Sequence, residues 1–194
     1  MSAPRPFPEG IYQAAKLMFF IDGENLAIRY GSILADGETQ DHVEYEPNVF
    51  VWSRIANVTQ HTRWEVLRRY YYTSIQGDVV RLEEIEERLK GLGVESPRVF
   101  KKHAGKRSKR VDISLATDML THAHRKNYDV AVLIAGDEDY VPLVDAVMGE
   151  GRRVLVWFFE KGLNPTLRRR ADYFFDIGKF FFQSRKDLGI YGWI

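Results

Sequence analysis

Three segments of the chain are continuously apolar instead of alternating between apolar and polar residues. They cover residues 17–21, 130–135 and 154–159. Strands that helices cover on both faces have this pattern, because neither face of such a strand meets water. The three segments therefore predict a mainly parallel sheet between two layers of helices, a three-layer α/β/α fold with right-handed crossovers.

The stretches between these strands have mostly helical spacing. Apolar residues recur on one face over residues 79–90, where two Glu-to-Arg/Lys pairs at i, i+4 support a helix. A second amphipathic helix is predicted over residues 111–125. Residues 47–60 also read as a helix, with a proline near its first turn. The polar residues 36–46 read as an irregular loop.

Weaker strand signals complete the sheet. Residues 64–73 and 95–102 are enriched in β-branched and aromatic side chains, and Pro97 makes the second of them an edge strand. Asn164 and Pro165 are typical of a helix start, and residues 173–177 predict a last strand.

One folded domain is predicted, over residues 16–178, since no repeat and no linker divides this stretch. Residues 1–15 contain several prolines and read as a flexible segment. Residues 179–194 are rich in aromatic side chains, which are unfavourable in water without a partner. We expect this tail to dock on the core or on a partner, the latter giving a homodimer.

Composition narrows the function classes. Lys and Arg number 28 against 27 Asp and Glu, a net charge of +1, so any affinity for nucleic acid must come from a local patch. The absence of cysteine excludes disulfides, a thiol nucleophile and thiolate metal sites. No uncharged stretch approaches the length of a membrane helix, and the first residues lack an apolar leader. We therefore expect a cytoplasmic protein without a membrane partner.

Acidic side chains follow two of the predicted buried strands. Asp22 comes after the first strand, and Asp137 and Asp139 come after the second. In open α/β sheets ligands bind outside the carboxyl ends of the strands, which is where these acids would lie. Turn formation or helix capping is the alternative explanation for each of them alone.

A further acid lies in the predicted helix over residues 111–125. At 100° per residue Asp112 falls at the centre of the apolar stripe, whereas Asp118 falls well off it. We therefore expect Asp112 to point towards the sheet, with helix capping as the alternative role. Carboxylates crowded at one edge repel each other, and a divalent cation commonly neutralises such a group.

The available ligand types favour a particular class of metal. Carboxylate oxygens suit Mg²⁺ or Mn²⁺ better than Zn²⁺, and two such cations could activate water for attack on a phosphodiester. Asn25, on the first turn after Asp22, adds an amide that could orient a ligand or simply cap the helix.

A basic segment leads directly into the helix that carries Asp112. Such a segment is either a binding surface for a phosphate backbone or ordinary solvated surface. Arg168, Arg169 and Arg170 form a second basic cluster, and Tyr30, Trp52 and Tyr140 are candidates for stacking on bases. The segment's basic residues are Lys101, Lys102, Lys106, Arg107, Lys109 and Arg110.

Three motifs together resemble the NYN domain family, which includes the LabA-like proteins and belongs to the PIN-like nuclease superfamily. They are FIDGENL at 20–26, KRVDI at 109–113 and AGDEDYVPLV at 135–144. The resemblance implies a PIN-like fold and a divalent-metal ribonuclease acting on single-stranded or structured RNA. The family positions that match are Asp22, Asn25, Asp112, Asp137 and Asp139.

Some positions depart from the family pattern. Tyr140 stands where phenylalanine is more usual, and Glu138 replaces a small residue and adds a charge. Asp118 resembles a recurrent family acid, and its angle on the helix restricts it to a supporting role. Glu138 could support the site in the same way, bind the metal itself or perturb the site.

Two other functions stay open. One is an RNA-binding or regulatory module without turnover. The other is a haloacid-dehalogenase-like phosphatase using Asp22, Thr73 or Ser74, and Lys101, although Glu24 stands where its second aspartate should be.

Overall fold

A computed structural model describes residues 14–34, 37–57, 64–102 and 109–189. Its centre is a six-stranded sheet in the order β5-β4-β1-β6-β7-β8, and all neighbouring strands run parallel. The strands are β1 (Ala15–Asp22), β2 (Val43–Glu46), β3 (Phe50–Ser53), β4 (Trp64–Ile75), β5 (Ser96–Lys101), β6 (Val130–Ile134), β7 (Arg153–Phe158) and β8 (Tyr173–Asp176).

Helices cover both faces of this sheet. No helix in the described ranges is long and apolar enough to cross a membrane. The helices are α1 (Gly23–Leu34), α2 (Val79–Gly91), α3 (Lys109–His124), α4 (Val141–Gly149), α5 (Pro165–Arg170) and α6 (Lys179–Phe182).

The alternation of side chains along β1 divides the core into two halves. Leu17, Phe19 and Ile21 face α1, α2, α6 and the β2–β3 hairpin, whereas Met18 and Phe20 face α3, α4 and α5. Both faces of β1 are buried, which explains its continuously apolar sequence. The predicted α/β/α architecture with a parallel sheet is confirmed.

The segment between α1 and β4 differs from the prediction. Residues 47–60 were expected to be helical, but they contain β3 and a short 3₁₀ turn (Arg54–Asn57), and part of the expected loop 36–46 is β2. The two strands pair as an antiparallel hairpin. All of β3 is buried, and its aromatic and β-branched residues pack well in a strand. Packing against α1 therefore outweighs the helical start signal at Pro47.

The aromatic residues after β8 contribute to the same half of the core. Phe181 is fully buried and meets Phe159 edge to face, with 5.4 Å between ring centres. Phe182 stacks on Tyr30 at 5.1 Å. Tyr30 and Trp52 are themselves buried, so neither is available for stacking on a base. Residues 190–194, with the last two tail aromatics, lie outside the described ranges, and docking on a partner stays a prediction.

The turn between β1 and α1 depends on a glycine. A Cβ at Gly23 would lie 1.9 Å from Cε1 of Tyr71. The Tyr71 ring cannot easily move away, because its hydroxyl donates to the Val51 carbonyl at 3.0 Å and accepts from the Val51 N–H at 3.1 Å. The chain can therefore turn from β1 into α1 only with a residue that has no side chain.

We predict that Gly23→Ala lowers the free energy of unfolding by roughly 1–3 kcal/mol, since the added methyl must displace a buried ring. Urea denaturation monitored by circular dichroism measures the change. Gly91→Ala is the matched control, because a Cβ there meets nothing within 4 Å and the residue lies in α2. Its stability should be unchanged or higher, and equal losses in the two variants would contradict the prediction.

Candidate acidic site

Carboxylates from three elements approach one another at the carboxyl edge of the sheet. Asp22 is the last residue of β1, Asp137 follows β6, and Asp112 lies in the first turn of α3. Because β1 and β6 are hydrogen-bonded neighbours, their ends bring Asp22 and Asp137 to the same place. The negative charges of Asp112 and Asp137 both act on Asp22.

Asp22 is the buried member of this group. Its relative exposure is 3%, its Oδ1 accepts from the Asn25 N–H at 3.0 Å, and its Oδ2 accepts from the Tyr140 hydroxyl at 2.8 Å. Burial raises the pKa of Asp22 from 3.8 to about 7, although the two hydrogen bonds lower it; repulsion from Asp112 and Asp137 adds to the rise. Near neutral pH this carboxyl therefore readily exchanges a proton.

Tyr140 links Asp22 to Asp112. Its hydroxyl lies 2.8 Å from Oδ2 of Asp22 and 3.3 Å from Oδ1 of Asp112. The hydroxyl has a single proton, so the two carboxylates compete for it. Burial, followed by the charges of both aspartates, raises the pKa of Tyr140 well above its usual range. Tyr140 therefore stays a neutral donor and does not stack on bases.

Asn25 fixes Asp137 in place. Its Oδ1 accepts from the Gly136 N–H at 3.0 Å, and its Nδ2 donates to Oδ2 of Asp137 at 2.9 Å. The Gly136 N–H can only donate, which sets the orientation of the amide. The sequence left open whether Asn25 orients a ligand or caps the helix. In the structure both ends of its amide bind within the protein and join the turn after β1 to the turn after β6.

Asp112 lies in the first turn of α3, where its charge acts on Asp22 at the edge of the sheet. Its side chain is exposed and lies on the flank of α3 that faces Tyr140. The buried residues of α3 are Val111, Leu115, Met119 and Ala123, whereas Leu120 is exposed. The buried side of α3 therefore lies further from α4 than the predicted apolar stripe. On the opposite flank, Asp118 accepts a hydrogen bond from the Tyr72 hydroxyl at 2.8 Å, so it faces β4.

Two other predicted acids lie on the 3₁₀ turn Glu138–Tyr140, and both are exposed. Oε2 of Glu138 accepts from Nδ2 of Asn164, the residue that caps α5, at 3.3 Å. Within the described ranges no hydrogen bond joins Asp139 to the other predicted ligands. Its role as a ligand stays a prediction.

The donor set fits a hard divalent cation in chemistry and charge. It offers carboxylate oxygens only, and the buried Asp22 carboxyl lies among like charges with no lysine or arginine partner in the part of the chain that the structure describes. Among the described residues, however, no group of three acidic or histidine side chains is close enough together to hold an ion. Holding one would require the acids to approach further.

The basic residues near the site are only partly free. Lys102 forms an ion pair with Glu24, whose other oxygen accepts from the Ser74 hydroxyl at 2.7 Å. Lys101, Lys109 and Arg110 are exposed, at the end of β5 and the start of α3. Lys106 and Arg107 lie outside the described residues, so this part of the predicted phosphate-binding segment stays a prediction.

Two of the three arginines of α5 have acidic partners. Arg168 pairs with Glu160 and Arg170 pairs with Asp145, whereas Arg169 contacts the Thr166 hydroxyl. These ion pairs reduce the positive charge that the second basic cluster offers to a ligand.

We predict that Asp22→Asn stabilises the metal-free protein more at pH 8 than at pH 5. Asp22 ionises near pH 4 in the unfolded chain and near 7 in the folded one, so its contribution to stability falls as the pH rises between these values. The amide removes this penalty, which could reach about 4 kcal/mol. Thermal unfolding in EDTA at the two pH values measures it.

Asp139→Asn is the control for this prediction, because Asp139 is exposed. Its effect should be the same at both pH values. A gain for Asp22→Asn that does not grow with pH would contradict the burial of an ionisable carboxyl at this position.

Residues 16–178 match a protein family that is described as "NYN domain". An uncharacterised protein of Methanocaldococcus jannaschii is 30% identical over 78 residues, which are 40% of this chain and 32% of that protein. The chain thus matches about a third of the length of this relative.

A solved structure is also similar to this chain. It is the crystal structure of a protein of unknown function from Vibrio parahaemolyticus, with 18% sequence identity and a TM-score of 0.63. The match covers 90% of this chain and 99% of that one. At this identity it supports the fold alone.

Proposed function

Because this chain belongs to the NYN domain family, we propose that it is a divalent-metal-dependent ribonuclease that hydrolyses RNA phosphodiester bonds. The family is generally nuclease-like, which supports a hydrolase. The observation that carries the proposal is the buried Asp22 carboxyl, whose pKa is raised by burial and by two neighbouring aspartates. Perturbed acids at the ligand-binding edge of a parallel sheet are typical of active sites.

Asp22, Asp112 and Asp137 are the residues that would hold Mg²⁺ or Mn²⁺, with Asp139 as a further proposed ligand. The ion, when bound, would lower the pKa of water and offset negative charge on a phosphodiester. Asn25 would keep Asp137 in position, since its amide ties that carboxylate to the turn after β1. Tyr140 would orient Asp22 and Asp112, since its hydroxyl is hydrogen-bonded to both.

RNA is proposed as the substrate on two grounds. The family is nuclease-like, and exposed cations lie at the end of β5 and the start of α3, the helix that carries Asp112. Lys101, Lys109 and Arg110 would bind phosphates there. Lys102 would have to leave Glu24 to do the same.

A non-catalytic RNA-binding or regulatory module is the second candidate function. The favouring observation is that the described acids form no group ready to hold a metal, while Tyr140 stands between two of them. The phosphatase alternative has no such support. Glu24 is engaged by Lys102 and Ser74, and the hydroxyl of the buried Thr73 donates to the Val49 carbonyl.

We predict that the protein cleaves labelled RNA only with Mg²⁺ or Mn²⁺, and that Asp137→Asn reduces the rate more than about 100-fold. Gel analysis of cleavage during a metal titration measures both effects. The variant should be as stable as the parent in EDTA or more stable, because it loses a repelling charge. Glu83→Gln, on the exposed side of α2, is the control and should keep full activity.

The same titration separates the two candidate functions. Cleavage in excess EDTA would contradict the metal-dependent site. RNA binding without cleavage at any metal concentration would favour the non-catalytic module, and Mn²⁺ that neither raises the melting temperature nor supports cleavage would argue against a metal site altogether.

A further inference from the structure

Three arginines lie together on the side of the sheet that α3 covers, beside the outer strand β5. They are Arg68 on β4, Arg98 on β5 and Arg125, the residue after α3, and all three are exposed. Arg68 and Arg125 both act electrostatically on His122, and Arg98 acts on Tyr72. We name these three residues the arginine surface.

The arginine surface has no paired acid. Among the described residues none of its three members forms an ion pair, whereas the neighbouring Arg69, on the opposite face of β4, pairs with Glu95 at 2.6 Å. Asp118 faces the same region, but its carboxylate accepts a hydrogen bond from the Tyr72 hydroxyl and pairs with none of the three arginines. The arginine surface therefore carries guanidinium charge that no ion pair within the described residues neutralises.

Rigid groups hold two of the guanidinium groups in place. Arg98 lies over the ring of Tyr70, with its Cζ 5.8 Å from the ring centre. Nη1 of Arg68 donates to the Ser96 hydroxyl at 3.2 Å. Guanidinium groups held in this way lose little freedom when they bind, which favours the recognition of phosphate oxygens.

The rings beneath the arginine surface are fixed as well. Tyr70 stacks on Phe20 at 5.6 Å, and its hydroxyl lies 3.1 Å from Nε2 of His122. Nδ1 of His122 lies 2.8 Å from Nδ2 of Asn127. These two contacts engage both ring nitrogens of His122. The imidazole therefore supports the arginine surface and does not itself bind a ligand.

The register of the sheet connects this surface to the acidic site. Asp22 is the Cα partner of Tyr72, which is the Cα partner of Arg98. Arg98 is therefore two strands from Asp22, about 10 Å across the sheet. Arg68 lies four residues before Tyr72 on β4, about 13 Å further from the acidic edge. The three residues thus lead away from Asp22 on the same side of the sheet as α3.

We propose that the arginine surface binds the phosphate backbone of the RNA strand on one side of the bond that is cleaved. This proposal rests on the proposed function, because it takes RNA as the ligand. The exposed Lys101, at the end of β5, would continue the path of positive charge from Arg98 to the acidic edge. The RNA would then run over the α3 side of β5 and reach the acids past the start of α3.

The test is a triple variant, Arg68→Gln, Arg98→Gln and Arg125→Gln. Binding of a fluorescent single-stranded RNA of about 20 nucleotides is measured by anisotropy in EDTA, from 50 to 300 mM KCl. The slope of log affinity against log salt should flatten by about 2, that is roughly 0.7 for each lost phosphate contact. With Mn²⁺ added, KM should rise while kcat stays within a few-fold of the parent, since these groups bind ground and transition states alike.

The control replaces three exposed cations elsewhere, Lys16, Arg54 and Lys186, by glutamine and thereby changes the net charge equally. It should keep the parent's salt slope. If the triple variant misfolds, Arg125→Gln alone tests the proposal. This substitution should not affect folding, because Arg125 makes no side-chain hydrogen bond or ring contact in the described structure. This single variant should flatten the slope by about 0.7.

Each result has one interpretation. A parental slope and affinity in both variants would overturn the arginine surface, even if the parent cleaves RNA. RNA binding that depends on the arginines but proceeds without metal-dependent cleavage would support the surface and contradict the proposed ribonuclease. A parent that binds no RNA would overturn both.

Discussion

A carboxyl group buried at the end of β1 is the constraint on which the edge of this sheet depends. An ionised carboxylate removed from water costs several kcal/mol unless polar partners compensate. Asp22 receives an N–H from the first turn of α1 and a hydroxyl from the turn before α4, but no lysine or arginine of the described ranges pairs with it. Two helices must therefore start in the right place for this one residue to be tolerated.

The same requirement explains why neighbouring residues are tightly specified. Asn25 supplies its backbone N–H to Asp22 and both ends of its amide to the turn after β6. Gly136 leaves no space for a side chain, because a Cβ there would lie 2.3 Å from the ring of Phe158. The acidic group is thus held by side chains and backbone together, at a cost in repulsion that a bound cation would relieve.

The sequence predicted those parts of the fold in which the local pattern of apolar residues is compatible with only one type of secondary structure. The apolar runs 17–21, 130–135 and 154–159 coincide with β1, β6 and β7 to within two residues at their ends, because a continuously apolar run fits a strand covered on both faces. The placement of Asp22 and Asp137 at one edge follows from the parallel order of these strands. The hairpin over residues 43–53 was missed because its stability comes from packing against α1, which no local signal carries.

Most contacts of the candidate site could not be read from the sequence, since they depend on how separate elements meet. The buried side of α3 is rotated from the expected one by about half of one residue's rotation, which leaves Asp112 exposed beside Tyr140. The pairing of Lys102 with Glu24 joins residues that are 78 positions apart. Tyr140 stands where phenylalanine is more usual in the family. The hydroxyl that tyrosine adds beside the acids was the signal in the sequence that pointed to its role.

The phenol of Tyr71 makes the β2–β3 hairpin and the acidic edge parts of one mechanical unit. Its ring lies against the turn that follows Asp22, and its hydroxyl is bonded to both backbone groups of Val51 in β3. If the hairpin shifts by a fraction of an ångström, the Tyr71 ring must therefore either push against Gly23 or lose its hydrogen bonds to Val51. The hairpin thus supports the turn that follows Asp22. The Asp22 carboxyl can be held no more precisely than β3, although β3 lies on the other face of the sheet.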